Sequence, residues 1–433
     1  MTPLAIGLIG LVFCFILIFL KVPIAFAFGI TGLVGLWYVK GLQAGLSALS
    51  TIPYATVTNY AWTAIPMFVM MGYLAQHTKL AEEFYQGVRA WVGHFRGGLA
   101  GAVILGNTGF GACSGDSLAA AATFTTISLP EMRRYKYSDS LTLGSIAAGS
   151  LLAQLIPPSF ALLIYGALTT TSITKLFIAG IIPGLILAAL YIALIYFMCR
   201  RNPALGPPGP KTTWRDKMMT APGMWAVIAL FVVIIGGLYL GLFTPTEAGA
   251  CGAFVVFVLG LARRKLSWHG LTRALVDAGL LTAMVGFLVI GCLVFNLFLV
   301  VTKVHLGVGE FIGGLTQSPI VVLFIIVIIF FFLGMVMDVL ALVLLLVPIL
   351  FPLIQQMNID PVHFGVVLVI VTNIGTLSPP FGIIVYALGT IVKDVPLFAI
   401  FRAAMPFIIA MVILELLVIF FPQISLFLPN LMM

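Results

Sequence analysis

The chain has 433 residues, of which 62% are hydrophobic and 8% charged, and its mean hydropathy is +1.21. No water-soluble core of this length can hide so much apolar surface, so a soluble fold is excluded and lipid is the solvent for most of the exterior. A net charge of +8 would suggest nucleic acid in a soluble protein, but here the basic residues cluster in short connections between apolar runs, as in the cytoplasmic loops of membrane proteins, and nucleic-acid binding is set aside.

Apolar runs of about 20 residues suffice to cross roughly 30 Å of hydrocarbon as helices. The first, Ile6 to Leu20, is followed by Lys21 and Pro23 with no small-residue cleavage site behind it, and reads as a retained first helix. Scaffold helices are expected over residues 1–75. Residues 78–96 then set Leu80, Phe84, Val88, Trp91, Val92 and Phe95 near helical spacing against Glu82, Glu83, Gln86 and Arg89, which predicts an amphipathic arm helix in the membrane interface. A hydrophobic hairpin follows at 97–132, with the polar tip Gly111-Ala-Cys-Ser-Gly-Asp-Ser117. The span at 138–170 is broken at Ile156-Pro-Pro-Ser159, because proline removes a backbone donor and clashes with the preceding turn. A helix at 176–199 closes the first half.

Residues 200–222, with a Pro-Gly-Pro cluster and mixed charge, form the longest polar connection and read as a cytoplasmic linker. The second half, 223–433, repeats the first: scaffold helices at 223–300, a hairpin at 318–356 with the tip Gly334-Met-Val-Met-Asp338, a span at 361–391 broken at Ser378-Pro-Pro-Phe381, and a helix at 403–428. A shift of roughly 222 residues lays Pro23 on Pro245, Gly111 on Gly334, Gly144 on Gly365, Pro157-Pro158 on Pro379-Pro380 and Leu176-Phe177 on Leu397-Phe398, within a residue or so. A hairpin enters and leaves on one side, so each half crosses the bilayer an odd number of times and the second half is expected to be inverted. The expected fold is an all-α polytopic membrane protein of two inverted-topology repeats, each with a re-entrant helical hairpin and a Pro-broken transmembrane helix. With the N-terminus outside, Arg133, Arg134, Lys136, Arg200, Arg201, Arg263, Arg264, Lys265 and most other basic residues fall inside. Lys40, Lys175 and Lys303 fall outside, so both termini are expected outside.

Backbone that leaves the helix at a hairpin tip frees amides and carbonyls that lipid cannot satisfy. In transporters such tips supply oxygens to a small cation while helix N-termini face an anion. Ser114, Gly115, Asp116 and Ser117, with Gln154, Pro157 and Ser159 at the first break, form one candidate cation site. Gly334 and Asp338, with Asn373, Thr376, Ser378 and Pro379 at the second break, form the other. Ser114, Ser117, Asn373 and Thr376 face the substrate in this reading. Asp116 and Asp338 are each compatible with ion binding and with capping the outgoing arm of the hairpin.

Thr244-Pro-Thr-Glu247 has the spacing of a capping box and is read as structural. The five histidines and five cysteines are scattered without metal-ligand or paired spacing. Zinc-binding His-Glu-x-x-His, phosphate-cradling loops and Gly-x-Ser-x-Gly elbows are missing from the sequence. An intramembrane enzyme using Asp116 and Asp338 as a carboxylate pair is conceivable, but it leaves the Pro-Pro breaks without a role, so the chain is read as no enzyme and as free of cofactors.

Gly111-Ala-Cys-Ser-Gly-Asp-Ser-Leu-Ala119, Leu129-Pro-Glu-Met132, Ile156-Pro-Pro-Ser159, Leu176-Phe-Ile-Ala-Gly-Ile-Ile-Pro-Gly184, Thr244-Pro-Thr-Glu-Ala248, Asp360-Pro-Val-His-Phe-Gly365 and Ser378-Pro-Pro-Phe-Gly382 together resemble the large membrane subunit of TRAP transporters, the tripartite ATP-independent periplasmic carriers. The resemblance covers essentially the whole chain. It implies a bacterial inner-membrane carrier whose transport domain moves like an elevator, driven by sodium as coupling ion. It also implies two partners, a small four-helix membrane subunit and a periplasmic binding protein that delivers a small carboxylate such as a C4-dicarboxylate or a sialic acid. One sodium would sit between Ser114–Ser117 and the break around Pro157, the other between Gly334, Asp338 and residues 376–379. The sequence departs from the family at Asp116, where the tip usually reads Ser-Gly-Ser-Ser, and at Ser378, where threonine is common. A stand-alone sodium- or proton-coupled dicarboxylate symporter or ion antiporter of similar architecture is the rival reading.

Overall fold

A computed structural model describes residues 2–209 and 211–432, and the regular structure among them is entirely helical. The first half begins with α1 (Pro3–Phe19), α2 (Ile24–Lys40), α3 (Leu42–Thr58) and α4 (Ala64–His77). Asn59 ends α3 by accepting the Ala61 N–H at 3.0 Å, and a 3₁₀ turn at Tyr60–Thr63 leads into α4. The arm α5 (Leu80–Val92) follows, then the hairpin α6 (Gly98–Ser114) and α7 (Ser117–Arg134), the broken pair α8 (Asp139–Leu155) and α9 (Phe160–Thr169), and α10 (Ile173–Arg201).

The second half repeats the order with α11 (Trp214–Tyr239), α12 (Pro245–Ala262), α13 (Trp268–Val301), α14 (Val304–Leu315), the hairpin α15 (Pro319–Gly334) and α16 (Val339–Gln356), the broken pair α17 (Pro361–Leu377) and α18 (Ile383–Ile391), and α19 (Leu397–Phe420). Adding 222 to the bounds of each first-half helix lands within a few residues of its counterpart, except at α11, which starts earlier, and at α13, which is one 34-residue helix where the first half has both α3 and α4. A short α20 (Gln423–Asn430) follows the repeat. Counting α8 and α9 as one element, seven helices among the described residues are long and apolar enough to cross a membrane.

Three stretches differ from the sequence reading. The helix expected at 403–428 is α19 followed by α20, which part at Phe421 and Pro422. Residues 214–222, expected as the end of the linker, are the first turns of α11, nucleated where Thr213 and Asp216 form a capping box: the Asp216 N–H reaches Thr213 Oγ1 at 3.3 Å and the Thr213 N–H reaches Asp216 Oδ2 at 2.9 Å. Residues 304–315, unassigned from the sequence, form α14, the counterpart of the arm. The Thr244–Glu247 pair makes the second capping box, with the Thr244 N–H 2.8 Å from Glu247 Oε2.

The arm α5 buries Leu80, Ala81, Phe84, Tyr85 and Val88 against α6 and α11 rather than resting on lipid alone. Its polar edge is tied down as well. Glu83 pairs with Arg263 at 2.9 Å and with Lys265, and Arg89 pairs with Glu131 at the base of the hairpin.

The halves interlock reciprocally: α2 packs on α13 and α12 on α4, α7 on α18 and α16 on α9, α8 on α19 and α17 on α10. Such exchanged pairs place α8 and α17 at the centre, and both are buried along their length, Leu141 to Leu155 in one and Val362 to Leu377 in the other. Asn373 on α17 donates from Nδ2 to the carbonyl of Leu151 on α8 at 3.4 Å. The two positions are 222 residues apart, so the helices cross at equivalent points of the repeat.

Candidate functional site

The first hairpin tip is seated on the break of its own half, and the second on the last turns of the helix before its break. In the first, Ser114 ends α6, and Gly115 adopts φ +63°, a left-handed turn that a side chain would strain. A Cβ at Gly115 would also lie 2.6 Å from the Pro158 carbonyl, and the Phe160 N–H points to the Gly115 carbonyl at 3.5 Å. Asp116 is the N-cap of α7: its two carboxylate oxygens accept the Leu118 N–H at 3.1 Å and the Ala119 N–H at 3.3 Å. Ser117, the first residue of α7, is buried. Pro157 lies in the buried break between α8 and α9. Ser159 caps α9 by accepting the Leu162 N–H at 3.3 Å and gives its own proton to the Gln154 carbonyl.

In the second half, Gly334 ends α15 against α17, where an added Cβ would lie 3.3 Å from Gly375 Cα and from the Thr372 carbonyl. Asp338 caps α16 and accepts the Leu340 N–H at 3.1 Å. Thr376 donates to the Asn373 carbonyl at 3.0 Å and Ser378 to the Ile374 carbonyl at 2.7 Å. Pro379 stands open at the surface of the chain. Both tip aspartates therefore bond their own helices, and the hydrogen bond of Asp338 runs to α16 rather than to the second break.

The chemistry that results is a set of acceptors. Ser159, Thr376 and Ser378 spend their protons on backbone carbonyls, which leaves oxygen lone pairs as what they can offer a ligand. Ser114 Oγ, Gln154 Oε1 and Asn373 Oδ1 are buried with no hydrogen-bond partner among the described residues. Orphaned oxygens in an apolar interior are costly, and a small cation would satisfy them.

Between the first tip and the scaffold lies a narrow cavity of about 20 Å³, room for about one water-sized particle. Tyr73 and Gln76 of α4, Phe110 and Ser114 of α6, Asp116, and Phe160 of α9 line it. Of these, the sequence pointed only to Ser114 and Asp116. Tyr73, Gln76, Phe110 and Phe160 sit in ordinary apolar helices with no local signal, and only the packing of the hairpin on α4 gathers them.

Comparisons with known proteins show the family. The family model "Tripartite ATP-independent periplasmic transporter, DctM component" matches residues 11–424. A C4-dicarboxylate TRAP transporter large permease of Pseudomonas aeruginosa is 33% identical, over 87% of this chain and 88% of its own length. A sialic acid TRAP transporter large permease of Vibrio cholerae is 32% identical over 96% of each chain, and an ectoine/5-hydroxyectoine TRAP transporter large permease of Ruegeria pomeroyi is 35% identical over 85% of this chain and 86% of its own. Among solved structures, the YdaH transporter of Alcanivorax borkumensis superposes with a TM-score of 0.63 at 14% identity, covering 88% of this chain and 89% of that one, a likeness of fold. The chain therefore belongs to the DctM component family of tripartite ATP-independent periplasmic transporters, and it is a multi-pass membrane transport protein rather than an enzyme.

Proposed function

We propose that this permease takes up a small carboxylate by coupling its entry to sodium, with the two hairpins and broken helices moving as an elevator against the scaffold of α1–α4 and α11–α13. The observation that carries the reading is the packing of each hairpin tip on the broken helix of its own half, around buried oxygens that lack donors. Sodium wants several oxygen ligands and no protons, which is what Ser114, Gln154 and Ser159 on one side and Asn373, Thr376 and Ser378 on the other can supply. Relatives named for C4-dicarboxylates and sialic acid support a carboxylate substrate. In this reading a periplasmic binding protein delivers the substrate and a small four-helix membrane subunit completes the carrier.

The bacterial inner membrane is the location, with both termini periplasmic and the second repeat inverted. Contacts that join the two halves support the inverted second repeat, since they gather residues assigned to the cytoplasm on one face: Glu83 of the arm pairs with Arg263 and Lys265, and Arg133 pairs, at 2.8 Å, with Asp394.

The test compares melting temperatures of the purified chain in sodium and potassium chloride at equal ionic strength. A ligand present at ten times its dissociation constant adds about 1.4 kcal/mol to the folded state. A sodium-specific rise that is lost in Asp338→Ala, and uptake into proteoliposomes that requires a binding protein, are expected. Equal melting in the two salts by a folded sample overturns the sodium coupling, and uptake without any binding protein favours a stand-alone carrier.

A further inference from the structure

We propose that the cavity between the first hairpin tip and the scaffold receives a positively charged group of the substrate, so that the transported acid is a zwitterion, a primary ammonium carboxylate. The proposal rests on the transport reading above and narrows its substrate class.

The charge of the cavity is the first ground. Asp116 lines it, and none of the described lining residues is Lys, Arg or His. The two backbone N–H groups that reach Asp116 use one acceptor position on each carboxylate oxygen, and a carboxylate has about four, so lone pairs remain for a ligand. An organic anion with no cationic group would bring nothing of its own to pair with Asp116, and a sodium ion held at Ser114 would be the sole counter-charge.

The remaining walls suit a cation as well. Tyr73, Phe110 and Phe160 stand around the space, and aromatic rings present a negative face to ammonium groups. Ser114 Oγ, on a residue 5% exposed, is an acceptor with no partner. Gln76 spends its Nε2 on Thr123 Oγ1 at 3.4 Å, which leaves its carbonyl oxygen as a further acceptor. The volume of about 20 Å³ has room for about one water-sized group, the size of a primary ammonium and not of a whole organic acid. The rest of the substrate would part the seam where Gly72 of α4 meets the tip, a contact so close that a Cβ there would lie 3.2 Å from Ser114 Cα.

The experiment melts the full purified chain in sodium chloride with compounds of defined charge at one concentration. Glycine, β-alanine and γ-aminobutyrate are the zwitterions, and succinate and a sugar-acid monoanion are the anions. Stabilisation by at least one zwitterion and by neither anion is expected. Asp116→Asn keeps a good N-cap, so its unliganded melting temperature should hold while the half-maximal concentration rises roughly tenfold or more, the loss of a charge-assisted hydrogen bond. Tyr73→Leu should raise it by a smaller factor.

Stabilisation by succinate or the monoanion that survives Asp116→Asn overturns the proposal, as does the absence of a shift from every zwitterion. A sodium-dependent rise that vanishes in Asp116→Asn, with no zwitterion effect, would assign the carboxylate to the coupling ion alone and equally overturn it. A zwitterion shift of the same size in potassium and sodium chloride would leave this proposal standing and remove the sodium coupling instead.

Discussion

The two helix breaks obey the same sequence rule yet end in different surroundings. Residues 156–159 of the first break are buried, whereas Pro379, Pro380 and Phe381 of the second are exposed, Phe381 to 49%. One difference lies in the hairpin tip, since Gly115 closes on the Pro158 carbonyl whereas Gly334 sits on Gly375 and Thr372, and another in the helix that follows each break. On α10, Gly180 and Gly184 bring the backbone against the Leu155 carbonyl and the Ile156 side chain, so close that a Cβ on either would collide. Adding 222 puts Arg402 and Pro406 of α19 in those places, and neither permits such an approach. Two glycines thus draw α10 onto the residues that lead into one break, while an arginine and a proline deny α19 that fit at its counterpart, and the repeat supplies symmetric parts that need not sit in symmetric environments.

Three sets of variants can break or sharpen this comparison. The largest effect is expected where the covering helix is pushed away. Gly180→Val should destabilise the chain by about 3 kcal/mol through overpacking against backbone that cannot yield, read as a fall in melting temperature with easier modification of a cysteine placed at Ser159. Arg402→Ala, its exposed equivalent, should stay within about 0.5 kcal/mol of the parent. Equal losses in both would show that the glycine cover is not what separates the two breaks.

The hairpin caps come next. Asp116→Ala and Asp338→Ala each remove the side chain that satisfies the first amides of an outgoing arm, and each should cost about 1 kcal/mol. Denaturation of the two variants side by side would show whether the tips are equivalent as caps. A much larger loss at one of them would mean that its carboxylate holds more than its own helix.

The smallest effect concerns the arms. Glu83→Gln breaks partly exposed ion pairs to Arg263 and Lys265 and should cost roughly 0.2–1 kcal/mol, diminishing as salt is raised. Glu310→Gln on α14, an exposed position on an arm that buries only Val304 and Ile312, should change nothing measurable in the same titration. A comparable loss at Glu310 would show that the second arm is braced as firmly as the first.

Much of the helical order was legible because its causes are local. Proline at 157–158 and 379–380 must interrupt a helix wherever the chain goes, and a Gly-rich polar tip between apolar arms cannot continue one. The Thr244–Glu247 capping box was legible for the same reason. The start of α11 inside the supposed linker was not, because polar composition around Arg215, Asp216 and Lys217 resembles a loop until the Thr213 cap is seen to nucleate a helix. The gap between α3 and α4 was equally hidden, since the equivalent stretch of α13 runs on unbroken.

The candidate site divides along the same line. Asp116 and Asp338 were open from the sequence to either a capping or an ion-binding reading, and the geometry shows that both are caps, a role that leaves spare lone pairs for a ligand. The sequence by itself determined a membrane-embedded repeat of hairpins and broken helices, because hydropathy, proline and glycine act over a few residues. Tertiary structure alone decided which break is buried, that Asn373 meets Leu151 where the halves cross, and that Tyr73, Gln76 and Phe160 close around Asp116. Those outcomes depend on how near two distant helices can come, and that distance is fixed by side chains on both.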